Sequence, residues 1–169
     1  MKKIVFTLYL VILVFGMQSL YSQVVATVCI ENKHTEKVPS DVTLYIENKL
    51  MDKFFDEGFI VTNLPYMREE IVFYNSYKRE QYVFDGEPDY VIILYFLYEG
   101  RKKYDEARRK DILPCKSIYC KVIKRKSSNV LYEKMFELEK LEILGLYRKL
   151  DYCLSVLNLE AVDAIRRSE

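Results

Sequence analysis

The sequence predicts an α+β fold: one domain, with a mixed sheet of about five strands and helices packed on the sheet. Three observations carry that expectation. Short runs rich in β-branched residues, such as VVATVCI at 24–30, alternate with segments whose apolar residues recur every third or fourth position. YVIILYFLYE at 90–99 is apolar on both faces, the pattern of a central strand covered on both sides. SIYCKVIK (117–124) and VLYEKMFEL (130–138) each alternate and are separated by a short polar stretch ending in KSSN, which reads as a hairpin.

The elements follow in order. VVATVCI is a buried strand, and the loop ENKHTEKVP succeeds it. Ser40 or Asp41 then offers a helix N-cap. Val42, Ile46, Leu50 and Phe54 repeat at helical spacing beyond it, with Tyr45 beside them, and Gly58 is a natural stop. FIVT (59–62) reads as the next strand, completing a strand–helix–strand unit with a right-handed crossover. Asn63 and Pro65 can open a second helix carrying Met67, Glu70, Ile71 and Tyr74, although IVFY at 71–74 also suits a strand. DGEPD (85–89) is a turn before the central strand. After the hairpin, 142–167 returns to helical spacing, with Leu150, Leu154, Leu157, Ala161 and Ile165 as its stripe. The predicted order is β-α-β-α-β-β-β-α.

The amino-terminal stretch bears on compartment. Lys2 and Lys3 precede an apolar run, Ile4 to Met17, whose fourteen residues span about 21 Å as a helix, against a bilayer core of about 30 Å. The polar break and Ser22 suit a secretory signal, residues 1–22, removed to leave the domain 23–169. The alternative is an uncleaved anchor. Export would place the protein in the periplasm or outside the cell. No cysteine follows the run closely enough for a lipoprotein signal.

Composition narrows function. The formal charge of +1 becomes −1 without Lys2 and Lys3, which leaves no field to draw in nucleic acid. With 50% hydrophobic residues and five glycines the chain is no disordered tail. Its fifteen tyrosines, with no tryptophan, predict rings half-buried with wet hydroxyls.

Three stretches give a resemblance to known envelope domains: VPSDVTLYIENKLMDKFFDEGFIVT, GEPDYVIILYFLYEG and YCKVIKRKSSNVLYEKMFEL. Their helix–strand, acidic–aromatic–strand and hairpin patterns resemble the TolB amino-terminal type of α/β domain. That type is also seen in lipoprotein activators of peptidoglycan synthases and in the curli secretion channel. The resemblance implies a non-enzymatic module that binds another envelope protein. It transfers no functional residue, and the sequence has neither a lipoprotein cysteine nor a propeller.

Chemistry-bearing residues are few. Export would let Cys29, Cys115, Cys120 and Cys153 oxidise. In an extended strand Cys115 and Cys120 stand about 16 Å apart, beyond the roughly 7 Å that a disulfide bridges. Cys29 and Cys120 are the candidate pair, provided their strands are neighbours. His34 with Cys29, Cys115 and Cys120 makes a formal zinc set, but the spacing lacks tight knuckles, and a solvated loop histidine is the simpler reading. CKSIYC does not supply the C-x-x-C of a thiol oxidoreductase.

Two basic clusters remain, Arg101, Lys102, Lys103, Arg108, Arg109 and Lys110, then Lys124, Arg125 and Lys126. Asp105 and Glu106 dilute the first, so both read as solvated strand ends, with an anionic envelope polymer as the alternative partner. No hydrolase, P-loop or dinucleotide motif occurs, and no catalytic residue, cofactor or metal site is assigned. The expectation is an exported, protein-binding envelope module; an unrecognised small hydrolase or a thiol- or metal-dependent enzyme is the alternative.

Overall fold

The apolar run at 24–30 forms the strand its composition predicts and extends it by one charged residue. In the computed structural model, which describes residues 23–32, 40–64, 67–68, 88–101, 103–105 and 109–169, β1 is Val24–Glu31. It is buried from Val25 to its last residue. Helix α1 (Asp41–Asp56) follows, capped by the Ser40 side chain, which accepts the Thr43 N–H at 3.3 Å. Such a cap stabilises a helix by about 1 kcal/mol. Val42, Ile46, Leu50 and Phe54, the predicted stripe, are its buried apolar face. Gly58, at φ +91°, turns the chain out of the helix into β2 (Ile60–Asn63).

β2 pairs parallel to β1 through Val24–Thr27, which leaves the later part of β1 in need of a second partner on that edge. Backbone groups buried there cannot stay unpaired. Met67–Arg68, β3, pairs parallel with Ile30 and Glu31 and supplies it. The helix expected from Asn63 is therefore corrected: Asn63 ends β2 and 67–68 is strand. The rest of that expected helix lies outside the described residues.

β4 (Tyr90–Tyr98) is central, parallel to β1 on one side and antiparallel to β7 (Cys115–Lys124) on the other. Between them, β5 (Lys103–Asp105) and β6 (Lys110–Ile112) form a small separate hairpin that the sequence did not announce. β8 (Asn129–Glu137) completes the predicted hairpin with β7. The sheet runs β2-β1-β4-β7-β8, with β3 beside β1. This is the predicted α+β domain with a mixed sheet, five strands in a row and the short β3 as a sixth beside β1.

A 3₁₀ turn (Leu138–Lys140) leads to α2 (Leu146–Arg166). The helix starts later than the predicted 142 because Gly145 adopts φ +86°, outside helical geometry. Both helices lie on one face of the sheet. Their stripes meet Val25 and Cys29 of β1, alternate residues Tyr90 to Tyr98 of β4, Ile118, Cys120 and Val122 of β7, and Phe136 of β8. Each fully buried aliphatic or aromatic side chain contributes about 1.5–3 kcal/mol, so this layer dominates stability. The other face carries a smaller cluster, Val28, Ile30 and Val91, with Leu64, Ile93 and Tyr95 against it. The expectation that β4 is covered on both sides holds at Val91 and fades along the strand, until Leu97 is 38% exposed.

Candidate functional site

Among the described residues, polar side chains form networks at two places in particular. The first lies where the parallel strands β1 and β4 end, beside the amino terminus of α1. Glu31, wholly buried, accepts the Ser40 N–H at 2.8 Å and the Thr43 hydroxyl. The Tyr98 hydroxyl lies 2.6 Å from Thr43 Oγ1 and also accepts from Ser40. Asn32 clamps the Tyr98 backbone, accepting its N–H at 2.8 Å and donating to its carbonyl at 3.3 Å. A carboxylate at a helix amino terminus also meets the positive end of the helix dipole.

The network continues inward by one rung. Two residues back along β1 advance about 6.6 Å, and four residues along α1 advance about 6 Å. The Cys29 thiol therefore meets Glu47 as Glu31 meets Thr43. The two are hydrogen-bonded, and burial holds the Glu47 carboxyl above its ordinary value. Burial likewise pushes the Tyr98 hydroxyl and the Cys29, Cys115 and Cys120 thiols up, and Cys153 up to about 11. A protonated thiol is a poor nucleophile, so this cluster joins three elements and presents no activated group.

All four cysteines are free and buried. The candidate pair Cys29 and Cys120 is not joined. Both sit opposite Leu94, one on each side of β4, so an intervening strand separates them. Two strand spacings are roughly 9.5 Å, beyond disulfide reach. Among the described residues no group of three or more His, Cys, Asp and Glu is placed to hold a metal; His34 lies outside them.

The basic candidates divide. Arg101, Lys103 and Arg109 are exposed around the β5–β6 hairpin, where Lys103 pairs with Glu99 at 2.9 Å. Lys110 opens β6, while Lys102 and Arg108 lie outside the described residues. Lys124, Arg125 and Lys126 sit at the opposite end of β4. Tyr90 pairs with Lys124, whereas Tyr98 pairs with Cys115, so about 26 Å of strand separates the clusters. They form no continuous surface.

The second place is the β7–β8 side. Among the described residues β8 pairs with β7 alone, so its outer edge is open. On the face away from the helices, Tyr95, Tyr119 and Met135 form one row across β4, β7 and β8, and Val91, Ile123 and Val130 another. Met135 is 58% and Val130 46% exposed. Between them Tyr119 donates its hydroxyl to Glu133, and burial, then that carboxylate, pushes the phenol up to about 12.

On the helix side of β8, Tyr132 donates to Glu160 at 2.8 Å, and Lys134 bonds both oxygens of the same carboxylate at 2.8 and 2.9 Å. Those contacts, Lys134 first, hold Glu160 below the usual carboxylate range. They tie β8 to α2 beside an open groove of about 540 Å³ lined by Leu131, Tyr132, Glu160, Ala164, Arg167 and Ser168. A register shift helps to build it. Val122 pairs with Tyr132 and Ile123 with Val130, leaving Leu131 as the extra residue of a bulge. The bulge re-aims Leu131, so that it packs beside Tyr132 toward the helix-side core. Sequence reasoning found neither the Glu31 cluster nor this groove. The one visible signal was a charged residue closing an apolar strand run.

With the geometry described, comparison with known proteins places the chain. A family model matches residues 24–166. The chain belongs to that family, which is described as "Uncharacterised protein". No curated protein matches. Among solved structures it is similar to the PelC dodecamer from Paraburkholderia phytofirmans, at 16% identity and TM-score 0.41, covering 82% of this chain and 88% of that one. It is also similar to XCC0632 from Xanthomonas campestris, a DUF330 protein, at 11% identity and TM-score 0.38, covering 85% and 83%. Hypothetical protein CT253 from Chlamydia trachomatis follows at 12% identity and TM-score 0.35, covering 68% and 69%. Likenesses this distant carry no functional argument. The expected resemblance to TolB amino-terminal and peptidoglycan-synthase-activator domains is corrected: the family match and these neighbours are of other kinds.

Proposed function

We propose that this chain is an exported, non-catalytic module of the bacterial cell envelope that binds another protein through the β7–β8 side of its sheet. The observation that carries the reading is the edge of β8, unpaired among the described residues, next to a sheet face that bears Tyr119, Met135 and Val130 and carries no helix among the described residues. An edge strand offers a row of backbone donors and acceptors, and native folds pair or block such rows. Half-buried tyrosine and exposed methionine side chains are of the types enriched at protein contacts. Against a thiol enzyme stands the burial of all four cysteines. The polar cluster at Glu31 is internally satisfied and buried, which suits a structural role better than a catalytic one. No described helix is long and apolar enough to cross a membrane.

The test places a photo-crosslinking residue at Met135 or at Val130 in cells, with Leu159 on α2 as control. The reading expects one discrete protein adduct from the sheet positions and none from Leu159. Adducts of equal yield from all positions would reject it. Export is tested separately by the mature amino-terminal residue in fractionated cells: Gln23 supports removal of 1–22, and an intact Met1 in the membrane supports the anchored alternative.

A further inference from the structure

We infer that the groove between β8 and α2 receives an extended peptide segment of the partner protein as an added strand. In this arrangement an apolar side chain rests on Leu131 and Ala164, and a carboxylate meets Arg167. The inference rests on the protein-binding reading above and names the kind of partner it needs.

Three independent features converge on the groove. The first is the backbone: β8 is nine residues long and, among the described residues, has a partner on one side only. The ligand that matches such an edge along its length is another extended backbone, whose alternate side chains point to the two faces of the sheet. The second is the bulge. It turns Leu131 to the same side as Tyr132, placing two apolar surfaces where a regular strand would place one. Ala164 opposes them from α2, and its small side chain leaves the space open. The volume, about 540 Å³, lies in the range of clefts that hold small ligands or short segments, roughly 300–1,000 Å³.

The third feature is charge. Glu160 is satisfied by Tyr132 and Lys134, so the groove's one acid is already neutralised. Arg167, on the lining at the far end, has a side chain 78% exposed, and its carboxylate neighbour Asp163 stands at 3.7 Å. Lys124 lies close by, bonded to the Ser168 carbonyl. That end of the groove therefore favours an acidic residue or a chain-terminal carboxylate, which a guanidinium binds in a charge-assisted pair.

The experiment selects phage-displayed random peptides, about as long as β8, on the full chain held in detergent micelles. Enriched peptides are expected to alternate apolar residues and to carry a carboxylate. A synthetic copy of one should lose about tenfold in affinity with Ala164→Trp, which fills the groove, a loss of about 1.4 kcal/mol. Arg167→Glu should weaken it about threefold, more at low salt than at high. Leu159→Lys, on the exposed side of α2 away from the groove, should leave it unchanged. Binders kept at full affinity by Ala164→Trp, or no enrichment at all, would overturn the inference. Binders lost with Met135→Lys but kept by Ala164→Trp would move the contact to the face away from α1 and α2, sinking the groove while sparing the protein-binding reading. Should Ala164→Trp not fold by circular dichroism, Arg167→Glu and Leu131→Arg decide in its place.

Discussion

The cluster around Glu31 and the network around Glu160 use the same chemistry, a carboxylate bonded to a hydroxyl or amine, in opposite surroundings. Glu31 is wholly buried, and Ser40, Thr43 and Tyr98 close over the end of β1. Glu160 is about 41% exposed and shares its charge with Lys134 at the sheet edge. An unpaired group in the first place costs several times what it costs in the second, because water cannot replace the lost partner. The first place thus acts as a clasp between β1, α1 and β4. The second fixes one side of a groove beside a strand edge that is unpaired among the described residues.

Mutation should separate the two by magnitude. Glu31→Ala strands the Ser40 N–H and the Thr43 hydroxyl and opens a small void, so a loss of about 3 kcal/mol is expected in chemical denaturation. Tyr98→Phe removes one hydroxyl from the same cluster and should cost about 1–2 kcal/mol. Lys134→Ala, at the exposed network, should cost under about 1 kcal/mol. Equal losses from Glu31→Ala and Lys134→Ala would show that burial does not separate the two networks.

Glu47 sharpens the comparison through pH. Burial raises its pKa above the ordinary carboxyl value of 4.5, with the Cys29 hydrogen bond opposing. A raised carboxyl binds its proton more tightly in the folded state. Its stabilising effect is therefore complete below pH 4.5 and is lost as pH rises through the folded value. Glu99 and Glu160 are shifted the other way, so the contribution must be read as a difference from Glu47→Gln. Gln keeps an acceptor for the Cys29 thiol without the ionisation. The variant should gain stability on the wild type as pH rises from 4.5 toward neutrality. A difference that stays constant with pH would show that Glu47 is not strained by its site.

Much of the fold was legible because it rests on local periodicity. The stripes Val42–Phe54 and Leu150–Ile165 became the buried faces of α1 and α2, and the alternation at 117–138 became β7 and β8. What escaped depends on which strand lies beside which. Nothing local shows that β4 intervenes between Cys29 and Cys120, or that Met67–Arg68 must complete the edge of β1. The β5–β6 hairpin was hidden in a run read only for its charge. The Glu31 cluster needs β1, α1 and β4 assembled before its members meet. The bulge at Leu131 arises from a register shift that alternation alone does not display.

The smallest stability effect is the most informative about function. Met135 lies on the face away from α1 and α2, 58% exposed, in the row with Tyr95 and Tyr119. Met135→Lys removes little buried apolar area and places a flexible charge beside Glu133. Its stability should stay within about 0.5 kcal/mol of the wild type. If the face away from α1 and α2 is the partner's seat, the same change should abolish the discrete crosslink from a probe at Val130, because a lysine must be desolvated at the contact. If the partner instead adds a strand along the β8–α2 groove, the crosslink should survive Met135→Lys and vanish with Ala164→Trp. A stability loss of several kcal/mol from Met135→Lys would instead make the face structural, since only a residue already packed in the folded chain produces it.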